Sequence, residues 1–346
     1  MGETPAARVR IAKPGSLRRH RLAPASLADR VRGAAVHVMI WGFGMFVGPL
    51  SPVILAALLW RGFVFAAAVF VAAMAYPFVF RVKESPFFCR VFLQSAYWMR
   101  NGASLWIDAG IYDDFRKGHM ACYHPHGVIP LGFSLNGAVR GKARTLDSFE
   151  RNERPIDHNA SGVQAPVLFR VPFLRHVLLS FGCSEPATKA AMFKLFRAGT
   201  TFGIVPGGSE EVAIHEYGKE KVYIRKRAGF LKYALQHGYK VAIVYSFGEN
   251  DLYRSFSLLR PLNLWLVKKF GFVLPAFCGW WAFPLLPRPD GALNTVVGAV
   301  LDLPKIEEPA DTDVETWHRT YIEALTSVFD THKAQFGYAD RTLIIE

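Results

Sequence analysis

The amino-acid sequence predicts an α/β domain that follows an N-terminal helical hairpin embedded in a membrane. Residues 33–60 and 63–80 contain no Lys, Arg, Asp or Glu, which predicts the two apolar arms of the hairpin. Short apolar runs, each followed by a glycine-bearing loop, predict buried strands at residues 120–123, 201–205 and 241–245. The composition agrees with both features, because 51% of the 346 residues are hydrophobic and the mean hydropathy is +0.16.

The two apolar stretches are long enough, or nearly so, to cross a bilayer as helices. A hydrocarbon core of about 30 Å requires roughly 20 apolar residues in a helix, and the stretches have 28 and 18 residues. Gly48, Pro49 and Pro52 predict a kink or a shortened, re-entrant helix, so both forms stay open for residues 33–60. The alternative is a pair of buried core helices.

Two further helices complete the α/β pattern. Residues 227–237 are predicted as a helix that ends at Gly238, the residue type that favours the left-handed conformation beyond a helix terminus. Residues 313–336 carry apolar side chains at steps of four, which predicts an amphipathic helix with Asp313 at its start. These side chains are Trp317, Tyr321, Leu325 and Phe329.

Positive charge is concentrated before the apolar stretches. The chain carries 41 Lys and Arg against 28 Asp and Glu, a net charge of +13, and eight of the basic residues lie within residues 1–32. We therefore expect a flexible basic tail at 1–32, a membrane-embedded hairpin at 33–82 and a soluble-type domain at 83–346. Basic residues flank the outer ends of the hairpin, which places both termini in the cytosol. No nucleic-acid-binding motif accompanies the charge, so we expect no nucleic acid partner.

The first candidate site is the loop at residues 123–127, with the sequence YHPHG. Its proline stiffens the loop, and its glycine permits a positive φ or a close approach to a ligand. Two histidines at this spacing could bind zinc, but no C-x-x-C pair or H-x-x-x-H partner completes a ligand set, so we expect no metal. The four cysteines are too sparse for a disulfide framework. The histidine pair therefore favours a general base.

The second candidate site is the loop at residues 206–211, with the sequence PGGSEE. Paired glycines after a strand expose backbone N–H groups, which suits an oxyanion hole or a phosphate cradle. A tight turn whose carboxylates cap the next helix is the alternative. A basic cluster at residues 225–227 could contact the phosphates of a donor substrate, or it could be a solvated charged face.

Five blocks in fixed order resemble the type-2 diacylglycerol acyltransferase family, which includes the monoacylglycerol and wax-alcohol acyltransferases. The blocks are YHPHG at 123–127, FRVPFLR at 169–175, PGGSEE at 206–211, RAGFLKYALQHG at 227–238 and YSFGEND at 245–251. The resemblance covers residues 85–345. It implies that residues 83–346 are an acyltransferase domain with a mixed central sheet flanked by helices, similar to glycerolipid acyltransferases.

The implied reaction is transfer of an acyl chain from acyl-CoA, as co-substrate and without a cofactor, to the hydroxyl of diacylglycerol. Monoacylglycerol and long-chain alcohols stay open as acceptors. Assembly of the protein as a homo-oligomer also stays open. The implied location is the endoplasmic reticulum membrane, with the lipid droplet as a second one. A non-catalytic protein that binds lipid or organises droplets is the alternative from another class.

The resemblance also implies roles for individual residues. His126 is the general base, His124 is a positioning or substitute partner, and Glu211 is the carboxylate on the other ring nitrogen of the base. A covalent route through Ser209 or Cys122 is an alternative to direct attack. The remaining candidates are Gly127, Gly207 and Gly208 for the oxyanion, Tyr123, Pro125 and Pro206 for substrate contact, and Arg170, Arg225, Lys226 and Arg227 for the CoA phosphates.

Overall fold

The computed structural model describes residues 8–22, 26–100, 102–108, 110–111, 118–143, 156–157, 159–274 and 276–346. The strands within these ranges are β1 (Val9–Ile11), β2 (Leu17–Arg21), β3 (Ala103–Asp108), β4 (His119–His124), β5 (Ser161–Gln164), β6 (Ser184–Pro186), β7 (Phe202–Ile204), β8 (Glu220–Val222), β9 (Lys240–Phe247), β10 (Arg254–Ser255), β11 (Phe277–Cys278), β12 (Leu293–Asp302) and β13 (Leu343–Ile345).

The helices are α1 (Leu27–Gly42), α2 (Gly48–Trp60), α3 (Val64–Val79), α4 (Pro86–Leu93), α5 (Leu131–Asn136), α6 (Ala138–Lys142), α7 (Pro172–Ser180), α8 (Lys189–Arg197), α9 (Gly208–Ile214), α10 (Gly229–His237), α11 (Arg260–Phe270) and α12 (Asp311–His332). A π-helical turn, Phe43–Val47, joins α1 to α2. Short 3₁₀ helices lie at Gln94–Trp98, Pro166–Arg170, Glu249–Asp251, Ser257–Leu259 and Lys333–Phe336.

A nine-stranded mixed sheet forms the centre of the described part of the chain. The order is β2-β3-β12-β9-β4-β7-β5-β6, and β1 pairs with the C-terminal part of β12. Strand β4 is parallel to both of its neighbours, β7 and β9. Because the carboxyl ends of parallel strands meet at one edge, the loops after β7, β4 and β9 lie side by side. The mixed α/β fold expected from the sequence is therefore confirmed.

Helix α12 covers the sheet with the face that the sequence spacing predicts. Its four apolar side chains at steps of four are all buried and pack against β9 and β12. The helix starts two residues before the expected Asp313, whose carboxylate accepts a hydrogen bond from the backbone N–H of Ala310 at 3.0 Å. Helix α10 ends where expected, at Gly238 with φ +59°. Pattern and propensity agree in both helices.

Residues 8–22 belong to the sheet, so the expectation of a flexible tail is wrong over this segment. Strand β1 pairs with β12, with Val9 opposite Leu301, and β2 pairs with β3. Arg10 forms an ion pair with Asp302 at 3.2 Å. Charged residues are common on edge strands, because outward-facing side chains stay in water while the backbone completes the sheet. Residues 27–32 of the expected tail are the start of α1, and residues 1–7 and 23–25 lie outside the described residues.

The apolar N-terminal segment forms a helical hairpin whose arms are α2 and α3, joined at residues 61–63. The predicted stretch 33–60 is divided between α1, the π-helical turn and α2, with Pro52 inside α2. Among the described residues, no helix combines the length and the apolar character needed to cross a bilayer. The transmembrane part of the prediction is therefore not confirmed.

Candidate active site

Strand β4 ends in the first candidate loop, and His124, its last residue, points into the protein. The imidazole of His124 is fully buried, and its Nε2 lies 2.7 Å from the hydroxyl oxygen of Tyr321 on α12. Burial disfavours the charged ring and lowers the pKa of His124 to about 3. His124 is thus a neutral group that connects the end of β4 to the covering helix.

His126 differs from His124, because it is partly exposed and uses its ring differently. Its Nδ1 lies 3.0 Å from the backbone oxygen of Gly127. A carbonyl oxygen can only accept, so Nδ1 is the protonated nitrogen and Nε2 carries the lone pair. Desolvation lowers the pKa of His126 to about 4, which keeps the ring neutral at pH 7. His126 therefore has the form that a general base requires.

Glu211 supports the loop through its backbone rather than through the imidazole. The buried carboxylate accepts a hydrogen bond from the backbone N–H of His126 at Oε1, and from that of Tyr223 at Oε2 at 2.8 Å. The expected pairing of Glu211 with the second ring nitrogen of His126 is not formed, because that nitrogen bonds the Gly127 carbonyl. Burial raises the pKa of Glu211 to about 7.

The glycine loop places Gly207 and Gly208 at the start of α9. A Cβ on Gly207 would overlap the side chain of Glu211, so only glycine permits this approach of carboxylate and backbone. Gly208 adopts φ +53°, and its N–H donates to the Val205 carbonyl at 3.2 Å. That donor is already used within the turn, contrary to its expected role at the oxyanion. Gly127, with φ +63°, and Gly207 stay as candidates.

Both nucleophiles of the covalent alternative are poorly placed. Cys122 is fully buried, and burial raises the pKa of its thiol well above the usual range. The Ser209 hydroxyl donates to the backbone oxygen of Gly271 at 3.3 Å, rather than to a ring nitrogen of the first loop. Direct attack by the acceptor hydroxyl is therefore the route that the geometry favours.

The expected substrate contacts divide into interior and surface residues. Tyr123 is buried, its hydroxyl donates to the Asn136 carbonyl at 3.4 Å, and its ring meets Phe133 edge to face. The side chain therefore belongs to the core, and its contact with substrate stays a prediction. Pro125 is buried and Pro206 is half-buried, both in the loops at the sheet edge.

The basic residues expected to bind CoA lie on the surface. Arg227 forms an ion pair with Glu210 in the first turn of α9, which brings it beside the glycine loop. The guanidinium of Arg225 donates to the Ile345 carbonyl at 3.2 Å, and Lys226 is exposed. Arg170 is exposed at the end of the 3₁₀ helix that precedes α7.

Sequence comparison identifies the family to which this site belongs. The family model described as "Diacylglycerol acyltransferase" matches residues 111–346. The chain belongs to this family. Its relatives include three proteins named diacylglycerol O-acyltransferase 2, each aligned with 64% of this chain: from Dictyostelium discoideum (36% identical over 235 residues, 67% of its length), Homo sapiens (33% over 234 residues, 58%) and Rattus norvegicus (33% over 234 residues, 58%).

These alignments span between 58% and 67% of the relatives' own lengths. No solved structure matches the chain. The family resemblance inferred from the five blocks is confirmed. The matched residues include the loops after β4, β7 and β9.

Two further groups near the His126 loop, Glu249 and His215, carry no role predicted from the sequence. Glu249 follows β9, and its carboxylate accepts two backbone N–H groups of the chain beyond the His126 loop. His215 follows α9, and its Nδ1 lies 2.8 Å from the Ser255 hydroxyl oxygen. Desolvation, with a smaller effect of the neighbouring His126, lowers the pKa of His215 to about 4. The acidic residues at 249–251 could have indicated a role for Glu249, because they follow β9 and so lie at the same sheet edge as the loop after β4.

Metal-binding geometry is not found in the described ranges. No group of three or more His, Cys, Asp or Glu side chains there is arranged to hold a metal ion. The groups that the structure does bring together at the site are a neutral imidazole, backbone N–H donors and buried carboxyl groups.

Proposed function

We propose that this chain is an acyl-CoA-dependent O-acyltransferase that esterifies diacylglycerol to triacylglycerol at a membrane. The observation that carries the proposal is the state of His126 in a chain of this family. Its Nδ1–H is held by the Gly127 carbonyl, and its Nε2 has a free lone pair at neutral pH. Such a group can take the proton of a lipid hydroxyl.

The reaction follows from this geometry. Nε2 of His126 accepts the proton of the lipid hydroxyl while the hydroxyl oxygen attacks the thioester carbon of acyl-CoA. The carbonyl oxygen then carries the negative charge, and the backbone N–H groups of Gly127 and Gly207 are the proposed donors to it. Collapse of the tetrahedral intermediate breaks the carbon–sulfur bond, and the imidazolium returns the proton to the CoA thiolate. The N–H of His126 itself is held by Glu211.

The donor substrate is proposed to bind at the basic surface beside the glycine loop. Arg227 lies there through its ion pair with Glu210, and Arg225 and Lys226 precede it. Guanidinium groups bind phosphates through paired N–H donors. Arg170 is proposed as a further phosphate contact. No cofactor besides the acyl-CoA co-substrate is required by this scheme.

The membrane is the proposed source of the acceptor. Apolar side chains on α2 and α3 face outward, and Trp60 and Phe65 are 85% and 84% exposed. A second exposed apolar group lies in residues 256–283, where Leu258 is 88% exposed. Exposed apolar patches of this kind mark membrane or protein contacts. We propose that both surfaces contact lipid, with the hairpin as the anchor at residues 33–82.

The proposed location is the endoplasmic reticulum membrane, with both termini in the cytosol and the lipid droplet as a second site. Basic residues flank the hairpin on its outer ends, at Arg30 and Arg32 before it and at Arg81 and Lys83 after it. Diacylglycerol resides in the bilayer, so a domain held at its surface can receive the acceptor laterally. Oligomeric state is a separate measurement, and a homo-oligomer is compatible with this scheme.

The decisive experiment supplies labelled acyl-CoA and a panel of acceptors to microsomes from a host that lacks triacylglycerol synthesis. We expect label in triacylglycerol when diacylglycerol is the acceptor. Preferential labelling with monoacylglycerol or a long-chain alcohol would reassign the acceptor within the same chemistry. No label in any neutral lipid, with folded protein in the membrane, would contradict the enzyme proposal and favour a lipid-binding protein. The Ser209→Ala variant should retain its rate, because the proposed route is direct.

A further inference from the structure

Glu249 is a buried carboxyl group whose two oxygens both accept hydrogen bonds from backbone N–H groups, and burial raises its pKa to about 8. It lies directly after β9, in the 3₁₀ helix Glu249–Asp251, and its side chain is 1% exposed. The N–H of Leu131 donates to Oε1 at 2.8 Å, and that of Gly132 donates to Oε2 at 2.6 Å. A carboxyl group withdrawn from water is costly unless its acceptors are satisfied. The hydrogen bonds of Glu249 therefore fix the position of the backbone at Leu131 and Gly132.

The segment bound by Glu249 begins at the His126 loop. Leu131 and Gly132 form the first turn of α5, five and six residues after His126. Gly127 lies against the same side chain, since a Cβ at this position would come within 2.9 Å of Glu249 Cγ and 3.2 Å of Oε1. Glu249 thus contacts both the glycine that follows the base and the helix to which the loop leads.

Glu211 holds the same loop from the opposite side. In the sheet, β4 lies between β7 and β9. Glu211 follows β7 and binds the N–H of His126, while Glu249 follows β9 and binds the chain beyond Gly127. Each neighbouring strand is therefore followed by one buried carboxyl group. Glu211 binds a backbone N–H of the loop that leaves the central strand, and Glu249 binds two in the first turn of the helix to which that loop leads.

We propose that Glu249 is a positioning residue for acyl transfer, which with Glu211 fixes the imidazole of His126 and the backbone of Gly127 at the reacting carbonyl. The inference rests on the proposed function. Glu249 does not touch the substrate in this scheme, because its oxygens are held by Leu131 and Gly132. It acts by keeping base and oxyanion donor at a constant separation, and a shift of about 1 Å in such a geometry can cost on the order of 100-fold in rate.

The test replaces Glu249 by Gln in the full chain, assayed in membranes with acyl-CoA and the preferred acceptor. A glutamine has one accepting oxygen, so one of the two N–H groups loses its partner. We expect kcat to fall at least about 30-fold while KM for acyl-CoA changes less than about threefold. Asp251→Asn is the matched control, because it replaces a carboxyl group by an amide in the same 3₁₀ helix. Asp251 binds Tyr338 and Arg341 and makes no contact of this kind with Leu131 or Gly132. The kcat of this variant should stay within about threefold.

Two further measurements separate positioning from folding. Hydrogen–deuterium exchange of a peptide covering residues 125–135 should be faster in Glu249→Gln than in Asp251→Asn, whatever the activity. Glu249→Asp keeps a carboxyl group on a shorter side chain, and its kcat should be at least about tenfold higher than that of Glu249→Gln.

A folded Glu249→Gln variant with wild-type kcat would overturn the inference. So would failure of both Glu249 variants to fold, which would make the residue a folding determinant. An inactive wild type with slow exchange in residues 125–135 would instead refute the proposed function. It would leave in place the clamp, which is the pair of Glu211 and Glu249 that holds the His126 loop and the first turn of α5.

Discussion

The loop that carries His126 and the hairpin of α2 and α3 are stabilised in opposite ways. The loop is held by buried polar groups with specific partners, namely Glu211 on one side and Glu249 on the other. The hairpin presents apolar side chains outward, as at Trp60 and Phe65. Single atoms therefore decide the geometry of the loop, whereas the area and polarity of a surface decide the behaviour of the hairpin. The two regions should respond differently to substitution.

The largest expected effect separates the two histidines of the loop. His126→Ala should lower kcat about 1000-fold, within the range that a general base contributes, with little change in the thermal unfolding midpoint. His124→Ala should instead lower the midpoint, because it removes a buried ring and its hydrogen bond to Tyr321. Thermal unfolding and initial rates on the same preparations measure both. Equal loss of kcat in the two variants would contradict the assignment of the base to His126.

The next effect concerns the carboxylate on the other side of the loop. Glu211→Gln leaves either the His126 or the Tyr223 N–H without an accepting oxygen, so kcat should fall about 100-fold. Glu210→Gln is the matched control for kcat at saturating acyl-CoA, because the Glu210 side chain pairs with Arg227 at the surface and does not bond the His126 loop. Steady-state rates in the same membranes compare the two. If both variants kept wild-type kcat, the loop would not depend on this clamp.

The sequence predicted the parts of the molecule that depend on local pattern. Strands β4, β7 and β9, helix α12 and the His126 loop follow from hydrophobic periodicity and turn residues. Strands β1 and β2 did not, because the partner of Val9 is Leu301, almost 300 residues away, and a basic segment is typical of a solvated tail. Pairing between distant segments leaves no signal in a single local window.

The same division applies within the candidate site. The residue types of His126 and Glu211 pointed to a base and a carboxylate, but the atoms that meet could not be deduced from spacing. The carboxylate binds the backbone N–H, and the ring binds the Gly127 carbonyl. Glu249 lies 123 positions after His126 along the sequence, so only the parallel order of β9 and β4 brings it to the loop.

A pH profile sharpens the same comparison with a smaller effect. The pKa of His126 is lowered to about 4 from the ordinary value of 6.5, so the base stays deprotonated as the pH falls from 8 to about 5. The pKa of Glu211 is raised to about 7, so its own titration is removed by measuring the profile in Glu211→Gln. In that variant we expect kcat/KM at pH 5 to stay within about threefold of its value at pH 7, whereas an ordinary histidine would lose about 30-fold. Initial rates at low acyl-CoA concentration measure this. An acid limb centred near pH 6.5 would show that the imidazole is solvated.

The smallest effect on catalysis is expected in the hairpin, where a charge should change membrane retention and leave the chemistry intact. Val69 lies on α3 and is 53% exposed. If this face contacts lipid, Val69→Lys costs about 3–4 kcal/mol at the centre of the hydrocarbon region, and less near its surface. The fraction retained in microsomes after alkaline extraction should fall, while kcat in detergent micelles should stay at the wild-type value. Ile344→Lys, on the C-terminal strand β13, is the control that should leave retention unchanged. Equal retention of both variants would mean that α3 does not enter lipid. The exposed apolar surface would then require a protein partner, since water alone does not stabilise an apolar face of this kind.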